Sequence, residues 1–328
     1  MRKIVVLFLA FSFMSCGQRP KSTEGTVAAE TKQTSTTQTP DFNADSAYHY
    51  VATQVAFGPR VPNTKAHKDC GLYLEAELKR FGASVFVQEA ILEAYDGTKL
   101  EAKNIIGSYN TDQKQRVLLF AHWDSRPYAD RDPDEANHYT PIDGADDGAS
   151  GVGVLLEIAR LLQQNTPDLG IDIIFFDAED YGTHHSKEER TPHSWCLGSQ
   201  FWVKNPHVPN YTAEYGILLD MVGSKNAQFY KEGLSLQYAA PFVERIWTTA
   251  RELGYGKFFI SARGIPVTDD HEYVIKGRNI PCVDIINNDP NTDKGFGDYW
   301  HTMNDNMDII SAETLKAVGQ TVLEVIYN

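Results

Sequence analysis

The chain has 328 residues, of which 42% are hydrophobic and 23% are charged, and its formal net charge is −14. Binding to nucleic-acid phosphates requires clustered basic residues, so this acidic balance argues against a nucleic-acid partner. Of the four cysteines, Cys16 lies near the N-terminus, and Cys70, Cys196 and Cys282 are widely spaced. That spacing indicates neither a disulfide scaffold nor a thiolate zinc site.

The N-terminal segment carries the features of an export signal. Two basic residues precede an apolar run, 4–14, which is too short to span a bilayer but suits the hydrophobic region of a secretory signal. Ser15 and Cys16 follow this run and resemble a bacterial lipobox, in which the cysteine is lipidated. The sequence therefore predicts a lipoprotein signal peptide over 1–15 and lipidation at Cys16. The protein would be exported and lipid-anchored to the membrane, facing the periplasm of a Gram-negative bacterium. The alternative is an ordinary signal peptide in which Cys16 is incidental.

The composition changes twice after this signal. Residues 16–40 are rich in Ser, Thr, Gln, Lys and Glu and contain almost nothing to bury, which predicts a disordered tether. Residues 41–328 have the composition of a globular protein, and their number fits one large domain better than two.

Helices and strands alternate through this domain. In chain order, the apolar periodicity predicts helices 45–55 and 65–80, strands 84–93, 103–108 and 116–121, helix 152–163, strands 171–176 and 215–219, helix 236–253, strand 282–286 and helix 312–327. Continuous apolar runs such as RVLLFA at 116–121 are typical of strands covered on both faces. The alternation predicts an α/β fold, with three layers, α/β/α, around a central mixed, mostly parallel sheet. Ligands of such sheets bind at the carboxyl ends of the strands.

Carboxylates and imidazoles follow the strand ends and adjoining loops of this predicted sheet. They are His122, Asp124, Asp146, Asp147, Glu179, Asp180, Asp220 and His301. Each one alone could be a helix cap, a turn residue or a surface residue, but their coincidence at one edge predicts a common site. Histidine nitrogen and carboxylate oxygen are the ligand set of a catalytic zinc, which needs about three protein ligands and an open position.

Five motifs in order carry a resemblance to a known family. They are HWD at 122–124, GADDGASG at 144–151, FDAED at 176–180, LDM at 219–221 and WHT at 300–302. From about Ala47 to its C-terminus the chain resembles the zinc aminopeptidase and glutaminyl cyclase superfamily, in particular a glutaminyl-peptide cyclotransferase in bacterial lipoprotein form. The resemblance implies a zinc-aminopeptidase-like fold and a single zinc-dependent catalytic domain over 41–328.

Two activities of this superfamily fit the motifs. A glutaminyl cyclase uses one zinc ion to close the N-terminal glutamine of peptides or proteins into pyroglutamate with release of ammonia, whereas a di-zinc aminopeptidase hydrolyses N-terminal residues. The cyclase is favoured by TDDH at 268–271 followed by GRNIPCV at 277–283, by Trp300 directly before His301, and by the continuation WHTMNDN. A non-catalytic peptide-binding lipoprotein would show a broken set of ligands, and every expected ligand is present.

The resemblance also implies a role for each matched residue. The zinc ligands would be Asp147, Asp180 and His301. Glu179 would act as the general acid and base. His122 and Asp124 could bind a second metal or support the ligands of the first, so that two zinc ions would be expected for an aminopeptidase and one for a cyclase.

The remaining roles concern the substrate. Asp220 and Asp269 would share a hydrogen bond beside the substrate amine and help to position it. Trp300, together with Trp195, would line the substrate pocket. The histidine-containing segment 183–194 is rich in charged residues and is expected to be a solvated lid. Asp177, at the end of strand 171–176, is expected to be a structural hydrogen-bond acceptor.

Overall fold

A mixed six-stranded sheet forms the centre of the protein. The structure is a computed structural model, and it describes residues 38–328 apart from 289, 291 and 293, together with positions 5, 10 and 12. Apart from those three positions, the predicted signal peptide lies outside the described residues, as do Cys16 and the predicted tether up to residue 37. Residues Thr36–Asn328 form one compact unit. Across the described part of the chain, no helix combines the length and the apolar character needed to cross a membrane.

The strands of the central sheet lie in the order β1-β2-β4-β3-β5-β8. They are β1 (Ser84–Glu93), β2 (Lys99–Tyr109), β3 (Arg116–His122), β4 (Gly170–Phe176), β5 (Tyr215–Asp220) and β8 (Cys282–Ile286). Strands β4, β3, β5 and β8 pair in parallel, whereas β2 runs antiparallel to both β1 and β4. A separate parallel pair joins β6 (Phe229–Lys231) to β7 (Phe259–Arg263). The predicted mixed, mostly parallel sheet is confirmed.

Helices cover both faces of the sheet. They are α1 (Ala44–Ala56), α2 (Lys65–Arg80), α3 (Ala149–Gln164), α4 (Leu197–Lys204), α5 (Gly233–Tyr238), α6 (Ala240–Glu252), α7 (Asp270–Arg278) and α8 (Ala312–Tyr327). One apolar core contains residues of α1, α2, α3, α6 and α8, and the other contains residues of α4 and α7. Leu119 of β3 belongs to the first core and Leu118 to the second, because successive strand residues point to opposite faces. The predicted three-layer fold is confirmed.

The helix predicted over 236–253 is interrupted. Helix α5 ends at Tyr238, Ala239 has non-helical dihedral angles (φ −136°, ψ 26°), and α6 begins at Ala240. Pro241 lies in the first turn of α6, where a residue without a backbone N–H is tolerated because that N–H has no partner within the helix. The proline therefore marks a helix start that the apolar periodicity across the break had concealed.

Parallel pairing brings the ends of β3, β4 and β5 to one edge of the sheet. His122 at the end of β3 is paired with Phe176 at the end of β4, and Asp220 ends β5 opposite Ile286. The loop after β3 leads into α3, whose first turn packs directly on the sheet. At Gly151 in that turn an added Cβ would lie 2.1 Å from the Leu219 carbonyl oxygen. The fold thus positions the loops that carry the predicted site.

The close approach of α3 to β5 can be tested by substitution. We expect Gly151→Ala to lower the free energy of unfolding by about 3 kcal/mol, because the new methyl group would overlap backbone atoms of β5. A lower midpoint in urea unfolding would show this. Gly256→Ala is the control, since nothing lies within 4 Å of its added Cβ, and we expect its stability to change by less than about 1 kcal/mol. Equal stability of the two variants would contradict this account.

Candidate active site

Three predicted ligands meet at the carboxyl edge of the sheet. Asp147 comes from the loop before α3, Asp180 follows β4, and His301 lies in the loop before α8. Each contributes one ligand atom to a set whose members all lie within 4.8 Å of one another. His301 Nε2 lies 3.6 Å from Asp147 Oδ2 and 3.3 Å from Asp180 Oδ1. All three side chains are buried, so the structure brings the predicted ligand set together in a site shielded from solvent.

The Asp180 carboxylate has charged neighbours but accepts no hydrogen bond. Both of its oxygens are buried, and neither accepts a hydrogen bond from the described residues, although Oδ1 lies 3.5 Å from Arg126 Nη1 and 3.3 Å from His301 Nε2. Burial raises the pKa of Asp180 to about 6, and the negative charge of Asp147 adds to the rise. Buried polar atoms without a partner are costly and uncommon. A cation held by Asp147, Asp180 and His301 would satisfy both oxygens, and a donor set of imidazole nitrogen and carboxylate oxygens fits zinc.

Asp147 also belongs to a second group that could hold a metal. His122 Nε2 lies 3.1 Å from Asp147 Oδ1 and 3.2 Å from Asp220 Oδ1, and the three side chains again lie within 4.8 Å of one another. Burial opposes a charge on the His122 imidazole, but its contacts with Asp124, Asp147 and Asp220 hold its pKa well above the usual range. The charges of this group can therefore be balanced either by a second cation or by a proton on His122.

Two carboxylates clamp the backbone on which the ligands lie. Asp124 accepts hydrogen bonds from the amides of residues 179 and 180, at 3.0 and 3.1 Å. Asp305 does the same for the amides of residues 146 and 147, at 2.7 and 3.1 Å. Both clamps are fully buried. The structure therefore places Asp124 on the backbone beneath the ligands rather than in either metal-capable group.

A buried ion pair supports His301 from behind. His301 Nδ1 lies 3.5 Å from Asp130 Oδ1, and Asp130 accepts two hydrogen bonds from Arg126, at 2.8 and 2.6 Å. Burial opposes ionisation of Asp130, but the Arg126 guanidinium holds the pKa of that carboxyl well below its usual range. Because a carboxylate at one ring nitrogen fixes the orientation of an imidazole, Asp130 directs His301 Nε2 towards Asp147 and Asp180.

Glu179, the predicted general base, lies next to the metal-capable group in a nearly dry position. It is 8% exposed, and burial, reinforced by the negative charges of Asp269 and Asp180, holds its pKa well above the usual range. The Cys196 thiol donates a hydrogen bond to Glu179 Oε1 at 3.1 Å. A carboxyl group whose pKa is raised towards the working pH can both accept and return a proton, as the predicted role requires.

Backbone strain is concentrated around these residues. Four buried non-glycine residues have positive φ angles, namely Ala178 (53°), Cys196 (58°), Met221 (48°) and His301 (55°). Ala178 directly precedes Glu179, and Met221 directly follows Asp220. A non-glycine residue in this region costs of order 1–3 kcal/mol and persists only where the surroundings enforce it. The surrounding fold therefore holds the site residues in place against their local backbone preference.

Asp269 extends the acidic site away from the metal-capable groups. Together with Glu179 and Cys196 it forms a further set of ligand-type atoms within 4.8 Å of one another. Burial, with the negative charges of Asp220 and Asp270, raises the pKa of Asp269 well above its usual range. Burial likewise raises the pKa of Asp220, although His122 opposes the rise. The two residues predicted to position the amine therefore lie in the same buried acidic region as the base.

Two indoles flank His301. The Trp195 and His301 ring centroids are 5.8 Å apart with an interplanar angle of 12°, and those of Trp300 and His301 are 3.9 Å apart at 27°. Trp195 packs so closely on Gly182 that a Cβ there would lie 2.1 Å from the indole ring. Both indoles are partly exposed. The two predicted pocket residues therefore lie beside the metal-capable group, on surfaces that a substrate can reach.

Two other acidic residues at this edge are committed to structural hydrogen bonds. Asp146 accepts a hydrogen bond from the Tyr299 hydroxyl. Asp177 lies 2.9 Å from His67 Nε2 and accepts a hydrogen bond from the Lys103 amide at 2.6 Å. Asp177 is thus a hydrogen-bond acceptor, as the sequence suggested.

The expectation of a solvated lid is wrong for part of the segment 183–194. Residues 185–193 are exposed, but Thr183, His184 and Ser194 are buried. The His184 ring stacks on Tyr139 with centroids 4.7 Å apart and an interplanar angle of 8°. The charged composition of the segment described its exposed middle but not the ends, which pack against neighbouring loops.

Sequence reasoning missed the supporting residues of the site. Arg126 and Asp130 lie in a segment without apolar periodicity, and the wide spacing of the cysteines indicates no role for Cys196. Asp305 lies inside the WHTMNDN motif. Nothing in that motif indicates that its carboxylate accepts hydrogen bonds from the amides of Asp146 and Asp147, which lie 159 and 158 positions earlier in the chain. A signal of this kind exists only after the chain has folded.

Comparison with known proteins shows the family. The model of peptidase family M28 matches residues 104–326. The chain is similar to a solved Zn-dependent exopeptidase from Parabacteroides distasonis, with 71% identity and a TM-score of 0.88 over 89% of this chain and 100% of that chain. It is also similar to two solved glutaminyl cyclases. The one from Tannerella forsythia has 67% identity and a TM-score of 0.87 over 88% of this chain and 99% of that chain. The one from Bacteroides thetaiotaomicron has 60% identity and a TM-score of 0.87 over 89% of this chain and 99% of that chain.

Curated relatives are more distant. The aminopeptidase YwaD of Bacillus subtilis is 28% identical over 82% of this chain, and the glutaminyl-peptide cyclotransferase of Bos taurus is 27% identical over 68% of it. The matches span 54% and 64% of the lengths of those two proteins. The predicted superfamily is confirmed. Because the family model covers more than half of the chain, the protein belongs to peptidase family M28.

Proposed function

We propose that this protein is a zinc-dependent enzyme that cyclises the N-terminal glutamine of peptides or proteins to pyroglutamate and releases ammonia. The observation that carries the proposal is the position of Glu179, buried and with a raised pKa, beside the group of Asp147, Asp180 and His301. Support also comes from the similarity to two solved glutaminyl cyclases, at 67% and 60% identity over nearly their whole lengths.

The reaction joins the α-amine nitrogen to the γ-carbonyl carbon of the same residue and expels ammonia. When bound by Asp147, Asp180 and His301, zinc supplies Lewis acidity towards the γ-carboxamide. Glu179 takes a proton from the attacking amine and delivers it to the departing nitrogen. Asp220 and Asp269 orient the amine from the acidic side of the site, so each group has a role that its position allows.

The reaction also requires the glutamine to be held in a folded conformation, and the two indoles can provide this. Nucleophile and electrophile belong to one residue, so holding that residue folded accounts for much of the acceleration. Trp195 and Trp300, both stacked against the His301 ring, form walls against which the glutamine side chain can fold. The same walls exclude water, which a peptidase would instead need as its nucleophile.

A di-zinc aminopeptidase is the second candidate. One observation favours it, namely that Asp147 belongs to two metal-capable groups, the second of which contains His122 and Asp220. His122, Asp147 and Asp220 would hold the second ion, which would supply activation of a water nucleophile. The similarity to a structure described as a Zn-dependent exopeptidase agrees with this alternative.

We further infer that the protein is exported and lipid-anchored, facing the periplasm of a Gram-negative bacterium. The support is the sequence around Cys16, where a small residue and a cysteine follow a short apolar run. A single acyl chain binds a bilayer only weakly, whereas two or more acyl chains hold a protein there stably. The substrates would then be peptides or proteins present outside the cytoplasm.

The choice of substrate separates the two activities. We expect the purified, zinc-loaded protein to release ammonia and form pyroglutamyl product from peptides that begin with glutamine, because its walls favour ring closure over attack by water. Peptides that begin with leucine or alanine should remain intact. A coupled ammonia assay and mass spectrometry would measure both. Release of free N-terminal amino acids without ammonia or pyroglutamyl product would overturn the cyclase proposal and favour the aminopeptidase.

The assigned roles of two adjacent acids can be separated. We expect Glu179→Gln to lower kcat by at least about a hundredfold, because the amide cannot transfer the proton, while zinc is retained. Asp180→Ala should lose zinc, because it removes a ligand. Metal analysis of each variant gives the second readout, and the wild-type protein should hold one zinc ion per chain. Near-normal turnover in Glu179→Gln would refute the base assignment, and two tightly held zinc ions would favour the aminopeptidase.

The anchor can be tested in a Gram-negative host. We expect the full-length protein to fractionate with membranes and to incorporate a radiolabelled fatty acid, since Cys16 would carry the acyl groups. Cys16→Ser should remove the label and release the protein from the membrane fraction, or block its processing. An unlabelled wild-type protein in the soluble periplasmic fraction would show that Cys16 is incidental to an ordinary signal peptide.

A further inference from the structure

Each indole beside His301 is accompanied by an arginine. The Arg126 guanidinium carbon lies 4.6 Å from the centroid of the Trp195 ring, and that of Arg131 lies 5.3 Å from the centroid of the Trp300 ring. Arg131 also donates a backbone hydrogen bond to the His301 carbonyl at 3.0 Å. Both arginines therefore lie at the walls of the proposed substrate pocket.

Only one of the two arginines is neutralised within the protein. Arg126 is fully buried and pairs with Asp130 at 2.6 Å. Arg131 is half-buried, and its Nε is buried without a hydrogen-bond acceptor. Its neighbour Asp130 is directed towards Arg126 and His301, and no ion pair joins Arg131 to a carboxylate among the described residues. The buried Nε is costly without an acceptor, and no hydrogen bond or ion pair engages the terminal nitrogens of this half-buried side chain among the described residues. The terminal nitrogens of Arg131 are therefore the donors that a ligand could meet.

Arg190 adds positive charge to the same rim. Its Nη1 donates to the Thr183 carbonyl at 3.1 Å, and its Nη2 lies 3.0 Å from His185 Nδ1. The His185 amide donates a hydrogen bond to Asp130 Oδ2 at 2.6 Å, so this segment lies against the residue that precedes Arg131. The exposed stretch 187–190 carries charges of both signs, so it is the unpaired guanidinium of Arg131, rather than a net positive charge of the rim, that favours an anionic group there.

We propose that Arg131, assisted by Arg190, binds a side-chain carboxylate of the substrate beyond its N-terminal glutamine. The inference rests on the proposed function and adds a specificity to it, a preference for acidic residues at the second or third position. A guanidinium binds a carboxylate through two parallel hydrogen bonds, so the fork of Arg131 can select charge and geometry together. The Arg131 guanidinium carbon lies 5.3 Å from the Trp300 ring centroid, which is 3.9 Å from that of His301, and an extended peptide advances about 3.5 Å per residue, so the second or third residue is the one that can reach it.

The test compares matched tripeptide amides that begin with glutamine and differ only in a second-position glutamate, glutamine or lysine. We expect kcat/KM for the glutamate peptide to exceed that for the glutamine peptide by about fivefold, which is the factor expected from one partly exposed ion pair. The advantage should shrink as salt is added, because screening weakens it. Arg131→Gln should abolish the preference, and Arg131→Glu should shift it towards the lysine peptide. Arg251→Gln, which removes an exposed arginine on α6, is the matched control and should keep it.

The outcomes separate this inference from the proposed function. Equal kcat/KM for the acidic and neutral peptides in the wild-type protein, or a preference that survives Arg131→Gln, would overturn it. A free-acid tripeptide without acidic side chains tests the other source of a carboxylate, and a preference for that peptide alone would assign Arg131 to the C-terminus and overturn the side-chain specificity. If Arg131→Gln fails to fold, the salt dependence of the wild-type preference still decides. Absence of cyclisation with every glutamine peptide would refute the proposed function itself.

Discussion

Repulsion between carboxylates buried at one edge of the sheet is the constraint on which the rest of the structure depends. Parallel strands deliver acidic residues to this edge, and a buried negative charge is tolerated only when hydrogen bonds or cations balance it. The protein balances most of them internally. Backbone amides satisfy Asp124 and Asp305, Arg126 satisfies Asp130, and a tyrosine hydroxyl contributes to satisfying Asp146. Asp180 and Asp284 are among the described carboxylates whose two oxygens accept no hydrogen bond. Asp180 also lies with Asp147 and His301 in a metal-capable group, which is why the structure favours a cation there.

The same constraint explains why one set of buried carboxylates could serve either cyclisation or peptide hydrolysis. Asp147 is shared by two metal-capable groups, and the second of these can be neutralised in two ways. A proton on His122 leaves one metal and an acidic surface beside it, which suits an amine that must be positioned and deprotonated. A second metal in the same place would instead activate water. Within the proposed function, a proton on His122 therefore corresponds to the cyclase, and a second cation held by His122, Asp147 and Asp220 corresponds to the aminopeptidase.

The sequence predicted the features that depend on local pattern and failed on those that depend on tertiary contact. Strands such as β3 and β4 are continuous apolar runs, and α3 has clear helical periodicity, so the layers and the edge bearing the site could be read directly. The break before Pro241 was missed because apolar periodicity continues across it. Strand β6 has only three residues, too few for any pattern. The clamps of Asp124 and Asp305 join residues far apart in the chain, so no local motif could indicate which amides they bind.

The two arginines show how the same side chain serves different purposes at different depths. Arg126 is enclosed and neutralised, so its charge fixes Asp130 and, through it, the orientation of His301. Arg131 is only half enclosed and forms no ion pair with a carboxylate within the part of the chain that the structure describes, so its charge acts outward. The net charge of −14 does not cancel this effect, because exposed charges farther away than about 8–10 Å are largely screened at physiological ionic strength. In the proposed specificity, the guanidinium of Arg131 selects among peptides at the rim, while the acidic edge beneath it acts on their first residue.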